Sequence, residues 1–274
     1  MPVLGIGTWY MGGGFLPDSS NDEQDIKALK TAIDLGITHI DTAELYGNGH
    51  SEELIGKAIK GYDRAKLFIT SKVFRDHLKY EDVLKSFNKS LKRLGTSYLD
   101  LYLIHAPNEG IQLKETIKAL DELKEKGLTR EIGVSNFSVD QLKEAQSFTK
   151  NRIVINQIHY NLAYQDLQDV VDYCQQNDVF ITAYRPVERG VLTRPGIKVL
   201  DEMCDKYKKT PAQIALNWLI SQDNILTISK TSTVDHLKEN LGALNWQMKK
   251  NDIEKLRNEF PDVELPQTVV RFNK

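Results

Sequence analysis

The sequence predicts an α/β protein that forms one (β/α)8 barrel, the TIM-barrel architecture, as a single domain over residues 1–274. Short apolar and β-branched runs alternate along the whole chain with longer segments of helical periodicity, which is typical of parallel strands joined by right-handed helical crossovers. Eight such strands can be counted in the 274 residues, and a barrel of this kind takes about 250 residues. The alternation alone also fits an open doubly wound sheet, which stays the alternative at this point.

The predicted strands are the short apolar runs that open each unit. They are Val3–Gly7, His39–Asp41, Leu67–Ser71, Leu99–Ile104, Glu131–Val134, Ile153–Gln157, Phe180–Ala183 and Leu226–Ser229. Between them lie amphipathic segments such as Leu113–Lys126, where leucine and isoleucine recur on one face and charged residues lie opposite. Gly36 and Gly127 stand where helices are expected to end.

Two helix starts carry capping signals. Ser138 is followed three residues later by Gln141, and this spacing lets each side chain bond a free backbone N–H of the first turn. Thr210 and Gln213 repeat the pattern, with Pro211 at the first helical position, where proline is favoured. Both segments are therefore predicted to begin helices at these residues.

Composition and charge exclude several classes of partner. The formal net charge is −2, with acidic and basic residues interspersed, so we expect neither a nucleic-acid-binding face nor a polybasic membrane patch. No apolar run approaches the roughly 20 residues that span a bilayer, and no basic region precedes the first apolar stretch as in a secretory signal. We expect a cytoplasmic protein with no membrane association. A monomer is expected, and an oligomer is left open.

The chain has two cysteines, Cys174 and Cys204. Their scarcity fits a reducing compartment, and both are predicted to lie on helices and to be inert. No CxxC pattern or Cys/His cluster has the spacing of metal ligands, so no metal is predicted.

The glycines near the N-terminus do not form a Rossmann nucleotide-binding motif. Gly5 and Gly7 begin a GxGxxG pattern after the first strand, but Tyr10 occupies the position of the third glycine. The run Gly12–Gly14 is interpreted as a flexible loop above the strand. If a dinucleotide binds, we expect it to bind in another way.

Polar residues follow three successive predicted strands. Strand two ends in Asp41, with Tyr46 on the adjoining loop; strand three leads into Lys72, and strand four into His105. Active sites of α/β barrels lie at these carboxyl ends, so the four side chains should meet at one rim. Alone, Asp41 could cap a helix, Lys72 could be a solvated rim charge and His105 a satisfied core histidine. Together they suggest a site, since buried charges need partners.

These residue types suit proton transfer to a carbonyl. A lysine cation near a tyrosine favours the phenolate and lowers the tyrosine pKa from its usual value near 10. Asp41 would keep Lys72 charged and in position. Tyr46 could then donate its proton to a carbonyl oxygen as a hydride arrives, and a neutral His105 could orient or polarise that carbonyl.

With these residues in view, the sequence resembles the aldo-keto reductase superfamily over nearly its whole length. The matching blocks, in chain order, are Gly5–Trp9, Asp41–Ala43 through Tyr46-Gly47, Ser51-Glu52, Ile55-Gly56, Ile69–Lys72, Ser90–His105, Gly133–Phe137, Asn156-Gln157, Ala183-Tyr184, and Lys230 with Glu239-Asn240. The resemblance implies that Asp41, Tyr46, Lys72 and His105 form a catalytic tetrad, with Tyr46 as acid in reduction and base in oxidation.

The resemblance also implies an extended nicotinamide dinucleotide across the barrel mouth. It implies that Ser135, Asn136 and Gln157 bond the carboxamide, that Tyr184 stacks on the nicotinamide ring, and that Asp41 reaches the nearby ribose. From the residues alone, Ser135 and Asn136 could form a turn and Tyr184 could be a packed aromatic. The other expected cofactor contacts are Thr8, Trp9, Pro186 and Thr231.

The adenosine end is expected on residues 228–240. The resemblance implies that Lys230 contacts the 2′-phosphate of NADP and that Glu239 and Asn240 contact the adenine. His236 stands where many members carry an arginine for that phosphate, and histidine is mostly neutral at neutral pH whereas arginine is always charged. We therefore expect NADP(H) to be preferred more weakly than usual, and acceptance of NAD(H) is left open.

Two further positions depart from the family pattern. Arg185 stands where many members have serine; it could meet the cofactor pyrophosphate as a charge-assisted donor or be a solvated loop charge. Members usually have a hairpin that closes the barrel bottom before the first strand, but here the predicted strand begins at Val3. This departure leaves open how the barrel bottom is packed, but it does not affect the prediction of the site.

Substrate walls should come from the loops that follow the strands. The candidate substrate contacts are Trp9, Tyr46, Phe74, His105 and Asn108, with Pro107 and the loop after Pro186 nearby. Trp9 and Phe74 could instead be core residues. The tail after Phe260 is short, and a short tail is expected to leave an open pocket for small carbonyl substrates such as aldehydes, open-chain sugars and dicarbonyls.

Two other functions are considered. Some proteins that resemble this family bind the nucleotide and serve mainly as redox-sensing regulatory subunits; the intact tetrad argues against this, but a slow enzyme used as a sensor stays open. A phosphate-binding isomerase or hydrolase would need a glycine-rich phosphate loop or a metal constellation. Residues 184–190 contain one glycine, and no histidine or carboxylate set has ligand spacing.

Overall fold

The computed structural model describes residues 1–265 and forms a closed eight-stranded parallel barrel. The strands are β1 (Leu4–Gly7), β2 (His39–Asp41), β3 (Phe68–Val73), β4 (Leu99–Ile104), β5 (Thr129–Ser135), β6 (Ile153–His159), β7 (Phe180–Tyr184) and β8 (Ile225–Ser229). Each strand pairs in parallel with the next, and β8 pairs with β1 through registers such as Leu4 with Thr227. This closure confirms the (β/α)8 barrel and excludes the open sheet.

Helices surround the barrel. The α-helices are α1 (Asp22–Asp34), α2 (His50–Ile59), α3 (Tyr80–Leu94), α4 (Leu113–Glu125), α5 (Val139–Ser147), α6 (Gln168–Gln176), α7 (Lys198–Tyr207), α8 (Pro211–Ile220), α9 (Val234–Leu241) and α10 (Lys250–Glu259). Both predicted capping boxes are confirmed: Ser138 caps α5 and Thr210 caps α8, each with its reciprocal glutamine. Gly36 and Gly127 follow α1 and α4 with positive φ, as expected of helix ends.

The predicted strands all form, and the differences lie at their ends. β3 continues to Val73, so Lys72 lies within the strand and not beyond it. β5 is longer than predicted at both ends and contains Ser135. Because side chains alternate along a strand, every second residue in these extensions faces the barrel interior.

The barrel interior has an apolar layer near the amino ends of the strands. Leu101 and Leu103 of β4 pack there with Ile155 of β6 and Leu226 of β8, a set drawn from alternate strands as in other barrels of this type. Phe68 and Phe180 pack against this cluster. Side chains of the strands themselves therefore pack inside the barrel below the carboxyl ends.

A larger apolar cluster lies between the outward faces of the strands and the helices. It includes Tyr102, whose ring meets Phe87 of α3 edge to face. Cys174 lies in α6 and Cys204 in α7, as predicted, and burial raises the pKa of the Cys174 thiol to about 12 and that of Cys204 to about 11. Thiols with such pKa values are almost entirely protonated at neutral pH and so unreactive. No helix in residues 1–265 is both long and apolar enough to cross a membrane.

Candidate active site

Polar residues replace the apolar layer at the carboxyl ends of the strands. Asp41 ends β2, Lys72 lies near the end of β3 and His105 follows β4, and all three are buried. Because Asp41 pairs with Thr70 in register and side chains two residues apart share a face, Asp41 and Lys72 point to the same interior. The structure thus brings the three predicted residues together.

Tyr46 reaches this group from a tight turn after β2. Residues 46–49 form a short turn in which Gly47 has φ of 56°. A Cβ on Gly47 would lie 2.3 Å from the carbonyl oxygen of Gly12, so only glycine fits the approach of the two loops. The Tyr46 ring then lies edge-on to His105 with centroids 5.6 Å apart, and Nζ of Lys72 lies 5.2 Å from the Tyr46 ring centroid.

Asp41 and Lys72 form a fully buried ion pair. Nζ of Lys72 donates to Oδ1 of Asp41 over 2.5 Å and to the carbonyl oxygen of Thr42 over 2.8 Å. Burial lowers the pKa of Lys72, and the charge and hydrogen bond of Asp41 oppose that shift. Burying both charges is tolerable because each satisfies the other, which meets the expectation that these groups must pair.

The pKa of Tyr46 differs from the sequence-based prediction. Burial first, and then the negative charge of Asp41, raise the pKa of Tyr46 well above 10, while Arg185 opposes the shift. The prediction that Lys72 would lower this pKa is therefore wrong for this structure, because Asp41 compensates the lysine charge and desolvation dominates. Tyr46 is protonated throughout the neutral range.

His105 is neutral, as expected. Burial and the positive charge of Lys72 both lower the pKa of His105 well below 6.5. The backbone around it is fixed by Nδ2 of Asn136, which donates to the carbonyl oxygen of His105 over 3.1 Å. A neutral imidazole keeps one N–H donor and one acceptor nitrogen.

The residues predicted to bond a carboxamide form one network on β5, β6 and β7. Oγ of Ser135 donates to the carbonyl oxygen of Gln157 over 2.9 Å, and the Asn136 amide donates to Oγ of Ser135 over 2.9 Å. The Tyr184 hydroxyl donates to Oδ1 of Asn136 over 2.9 Å. Gln157 in turn donates to Oδ2 of Asp41 over 2.8 Å, so this network joins the tetrad.

Arg185 begins the loop after β7 with φ of 57°. Its guanidinium carbon lies 5.9 Å from the Tyr184 ring centroid, and Nη1 is buried without a hydrogen-bond partner among the described residues. Burial and Arg189 lower the pKa of Arg185. The interpretation of Arg185 as a solvated loop charge is inconsistent with the burial of its Nη1 donor. Pro186 follows it and is buried.

The predicted adenosine segment follows β8. Nζ of Lys230 donates to Oγ of Ser232 over 2.9 Å, and Ser232 donates to Oδ1 of Asp25 on α1 over 3.3 Å. Thr231 is buried and its Oγ accepts from the backbone N–H of Thr233 over 3.2 Å. These hydrogen bonds fix the Lys230 side chain on the loop that also contains Thr231.

Helix α9 carries the remaining residues that were predicted for the adenosine end. His236 is exposed and Glu239 is half-buried. Asn240 is buried and donates to Oγ of Ser229 over 3.3 Å. The segment predicted for the adenosine end therefore forms one side of the barrel mouth at the end of β8.

Aromatic residues from the loop after β1 lie next to this segment, because β1 pairs with β8. Trp9 packs edge-on against Tyr46, with centroids 4.9 Å apart, and also meets Tyr10 and Phe15. The segment that contains Gly12 and Gly13, predicted as a flexible loop, lies outside the strands and turns back on itself through bridges from residue 13 to residues 10 and 17. Trp9 is therefore half-buried beside Tyr46 and is not a core residue.

Three other predicted residues serve mainly to hold loops. Oγ1 of Thr8 donates to the carbonyl oxygen of Asp41 over 3.1 Å. The backbone N–H of Phe74 donates to Glu44 over 2.7 Å. Nδ2 of Asn108 donates to the carbonyl oxygen of Arg75 over 2.8 Å, and its Oδ1 accepts from the N–H of Gly110 over 2.9 Å. The polar atoms of Asn108 are thus already engaged with backbone.

Sequence reasoning missed two buried residues with titratable side chains at the mouth. His159, on β6 two residues after Gln157, pairs with Glu188 in the loop after β7, with Nε2 and Oε2 2.5 Å apart. The period of two along a strand would have placed His159 beside Gln157. No group of three or more His, Cys, Asp or Glu side chains within residues 1–265 is arranged to hold a metal ion.

Comparisons with known proteins agree on one family. The chain matches the model of the aldo/keto reductase family over residues 3–258. It is 32% identical over 266 residues to methylglyoxal reductase YeaE of Escherichia coli (strain K12), covering 95% of this chain and 92% of that protein.

Two solved structures are similar over nearly their whole length. The first is a thermostable aldo-keto reductase, Tm1743, in complex with the inhibitor epalrestat, with 45% identity and a TM-score of 0.90, covering 94% of this chain and 95% of that one. The second is an aldo-keto reductase from Klebsiella pneumoniae in complex with NADPH, with 32% identity and a TM-score of 0.85, covering 99% and 94% respectively.

Proposed function

The chain belongs to the aldo/keto reductase family, and we propose that it is an NADP(H)-dependent carbonyl reductase in which Tyr46 is the general acid. The observation that carries this proposal is the buried Asp41–Lys72 pair directly below the Tyr46 ring, with His105 beside it. A structural ion pair would not need a half-buried tyrosine and a neutral histidine at the open end of the barrel. The redox-sensing alternative gains no comparable support.

The residues at the mouth fit a nicotinamide dinucleotide. Nη1 of Arg185 is a buried cationic donor without a partner among the described residues, which suits a pyrophosphate oxygen. Ser135, Asn136 and Gln157 would hold the carboxamide and Tyr184 the ring face, while Thr8, Trp9 and Pro186 would flank them.

At the adenosine end, Lys230 and Thr231 would meet the 2′-phosphate, with His236 nearby. Glu239 and Asn240 would meet the adenine. The NADPH complex of a relative of 32% identity supports this cofactor. When bound, the cofactor supplies or accepts a hydride at its nicotinamide ring.

The chain's own residues would handle the proton. Tyr46 has a pKa raised by burial, so it carries its proton at neutral pH. It can donate that proton to the carbonyl oxygen as negative charge develops there, because an alkoxide is a far stronger base than a phenolate. The positive charge of Arg185, which opposes the rise in the Tyr46 pKa, would then favour the phenolate that remains, while Asp41 and Lys72 hold the base of the site in place. In oxidation the same phenolate would take the proton back.

His105 would act as a neutral hydrogen-bond donor. Burial and Lys72 keep its pKa well below 6.5, so it does not compete as an acid. An N–H aimed at the carbonyl oxygen would orient the substrate and favour the developing charge. The Asn136 bond to the His105 carbonyl would keep the backbone in register while this happens.

The substrate class that we propose is small aldehydes and dicarbonyls. Trp9 and Tyr46 would form the wall nearest the reacting carbon, with Phe74, Asn108 and Pro107 on the opposite loops. The methylglyoxal reductase among the relatives supports a small dicarbonyl. The two thiols of high pKa are compatible with the cytoplasm, which we propose as the compartment.

The test is NADPH oxidation followed by absorbance at 340 nm with a panel of small aldehydes, including methylglyoxal. We expect Tyr46→Phe to lose about 10²–10⁴-fold in turnover, the range for one general acid, while NADPH still binds. Tyr10→Phe is the matched control, because Tyr10 is an exposed tyrosine on the neighbouring loop. Wild type that binds NADPH but reduces nothing on a broad panel would favour the redox-sensing function instead.

A further inference from the structure

A buried His–Glu pair lies behind the tyrosine that the proposed function assigns to the nicotinamide ring. His159 is 5% exposed and Glu188 is fully buried, and their side chains meet at 2.5 Å. Nδ2 of Asn161 also donates to Oε2 of Glu188 over 2.8 Å. None of these three residues belongs to the tetrad or to the predicted cofactor contacts.

The His159 ring supports the Tyr184 ring from β6. The two residues are register partners on adjacent strands, and their rings are nearly parallel, at 10°, with centroids 5.4 Å apart. His159 also stacks on Tyr164, at 8° and 4.1 Å. The hydroxyl of Tyr184 is fixed separately by Asn136. Tyr184 is therefore held at its ring face and at its hydroxyl.

The same cluster fixes the backbone that follows Tyr184. Asn161 donates from Nδ2 to the carbonyl oxygen of Arg185 over 2.8 Å, and the N–H of Glu188 donates to that same oxygen over 2.9 Å. Arg185 and Glu188 have φ of 57° and 39°, conformations that are strained for a non-glycine residue. A strained turn of this kind persists only where surrounding contacts determine it.

Stability alone does not explain why polar side chains are buried in this pair. Burial alone would raise the pKa of Glu188, but the hydrogen bond and charge of His159, with Asn161, lower it. An ion pair buried this deeply is often no more stabilising than apolar residues of similar volume. What the pair adds over an apolar contact is direction, since it sets the plane of the His159 ring and the position of the loop.

We propose that the His159–Glu188 pair, with Asn161, positions Tyr184 and Arg185 to receive the nicotinamide half of the cofactor. The inference rests on the proposed function, because it assumes a nicotinamide dinucleotide at the mouth. His159 and Glu188 are positioning residues: they act through Tyr184 and Arg185 and do not touch the cofactor. The adenosine half, at the far end of the mouth, does not depend on them.

The test compares two ligands in Glu188→Ala. NADPH carries both halves of the cofactor, whereas 2′,5′-ADP carries only the adenosine half with its 2′-phosphate. We expect the NADPH dissociation constant to rise about tenfold, equivalent to the roughly 1.4 kcal/mol of a well-oriented aromatic stack. The constant for 2′,5′-ADP should stay within about twofold. KM for the aldehyde should change less than KM for NADPH.

Two further variants separate positioning from general structure. Glu188→Gln keeps an oxygen that can accept from His159, so it should recover most of the NADPH affinity. Asp100→Asn is the control, because Asp100 is a buried carboxylate paired with Arg64 and Arg130 at the amino end of β4, far from the mouth. It should leave both dissociation constants unchanged.

A double variant tests whether Glu188 acts through Tyr184. In a Tyr184→Ala background, Glu188→Ala should raise the NADPH constant by clearly less than it does in wild type, because only the contribution through Arg185 remains and coupled residues are not additive. If Glu188→Ala does not fold, Asn161→Leu takes its place, because it removes the loop donor and leaves the His159–Glu188 pair intact.

The proposal is overturned if folded Glu188→Ala binds NADPH as wild type does, if it weakens both ligands equally, or if its full effect persists without Tyr184. Wild type that does not bind NADPH would overturn the proposed function itself, which is a different result.

Discussion

Gln157 on β6 donates a hydrogen bond from Nε2 to Oδ2 of Asp41 on β2, over 2.8 Å. These strands lie four positions apart in a barrel of eight, so the bond crosses the mouth. Oδ1 of the same carboxylate accepts from Lys72. One carboxylate thus joins a residue assigned to the cofactor with the residues assigned to proton transfer.

This shared carboxylate predicts that Gln157→Leu affects both binding and turnover. The variant removes the amide that would hold the carboxamide and one of the donors to Asp41. Because a hydrogen bond to a charged group contributes about 1.5–3 kcal/mol, we expect NADPH affinity to fall about tenfold or more and kcat to fall with it. Gln141→Leu, at the exposed start of α5, is the control. A variant with altered KM for NADPH and unchanged kcat would show that the two functions are separate.

The buried Asp41–Lys72 pair predicts a large and non-additive effect on stability. Lys72→Met leaves Asp41 buried without its counter-charge, and breaking a buried pair in this way costs about 3–5 kcal/mol. The double variant Asp41→Leu with Lys72→Met should be more stable than Lys72→Met alone, although inactive. Urea denaturation of the three proteins measures this.

Lys206→Met is the matched control for that experiment. Lys206 pairs with Asp252 but is 47% exposed, and pairs of this kind contribute about 1 kcal/mol or less. Equal losses of stability in Lys72→Met and Lys206→Met would contradict the interpretation of a fully desolvated pair.

The barrel and most of the tetrad could be predicted because their signals are local. Each strand is an apolar run bounded by polar residues, and Asp41 and His105 stand at such boundaries. The side chains at these boundaries meet because all parallel strands of a closed barrel end at one rim. The position of Lys72 was predicted less well. It lies inside β3, because the pairing of this strand extends past the boundary predicted at Ser71.

Properties that depend on tertiary burial could not be predicted. The sequence indicates that Lys72 lies near Tyr46, but the sign of the Tyr46 pKa shift depends on desolvation and on how fully Asp41 compensates the lysine. The His159–Glu188 pair likewise joins residues 29 positions apart. Their contact requires the β6–β7 register and a positive φ at Glu188, neither of which has a signal in the local sequence.

Because His236 is exposed, we predict that its replacement can strengthen the preference for NADPH over NADH. His236→Arg would add a permanent charge near Lys230, and we expect the ratio of kcat/KM for NADPH over NADH to rise about tenfold, as for a charge-assisted hydrogen bond. Lys230→Ala should lower the ratio by a similar factor. Lys238→Ala, an exposed lysine on the same helix, is the control and should leave it unchanged. Similar KM values for both cofactors that Lys230→Ala does not alter would refute the NADPH preference.

The contacts of His50 lead us to predict that this residue stabilises the fold in a pH-dependent way. Its ring bonds Asp22 at the start of α1 and Glu53 on α2, over 2.8 and 3.0 Å. Burial would lower the pKa of His50, but the hydrogen bonds and charges of Glu53 and Asp22 raise it above 6.5. The folded protein therefore holds this proton more tightly than the unfolded chain, so the contribution is complete below pH 6.5 and is lost as pH rises through the folded pKa.

The test compares the unfolding free energy of wild type and His50→Gln across that range. The difference should be largest below pH 6.5, where His50 is protonated in both states, and should shrink as pH rises through the raised folded pKa of His50. Asp22→Asn should reduce the same pH-dependent difference, because it removes the closer of the two carboxylates. A difference that grows with rising pH would mean that His50 is held neutral in the folded protein, and that burial outweighs the two carboxylates.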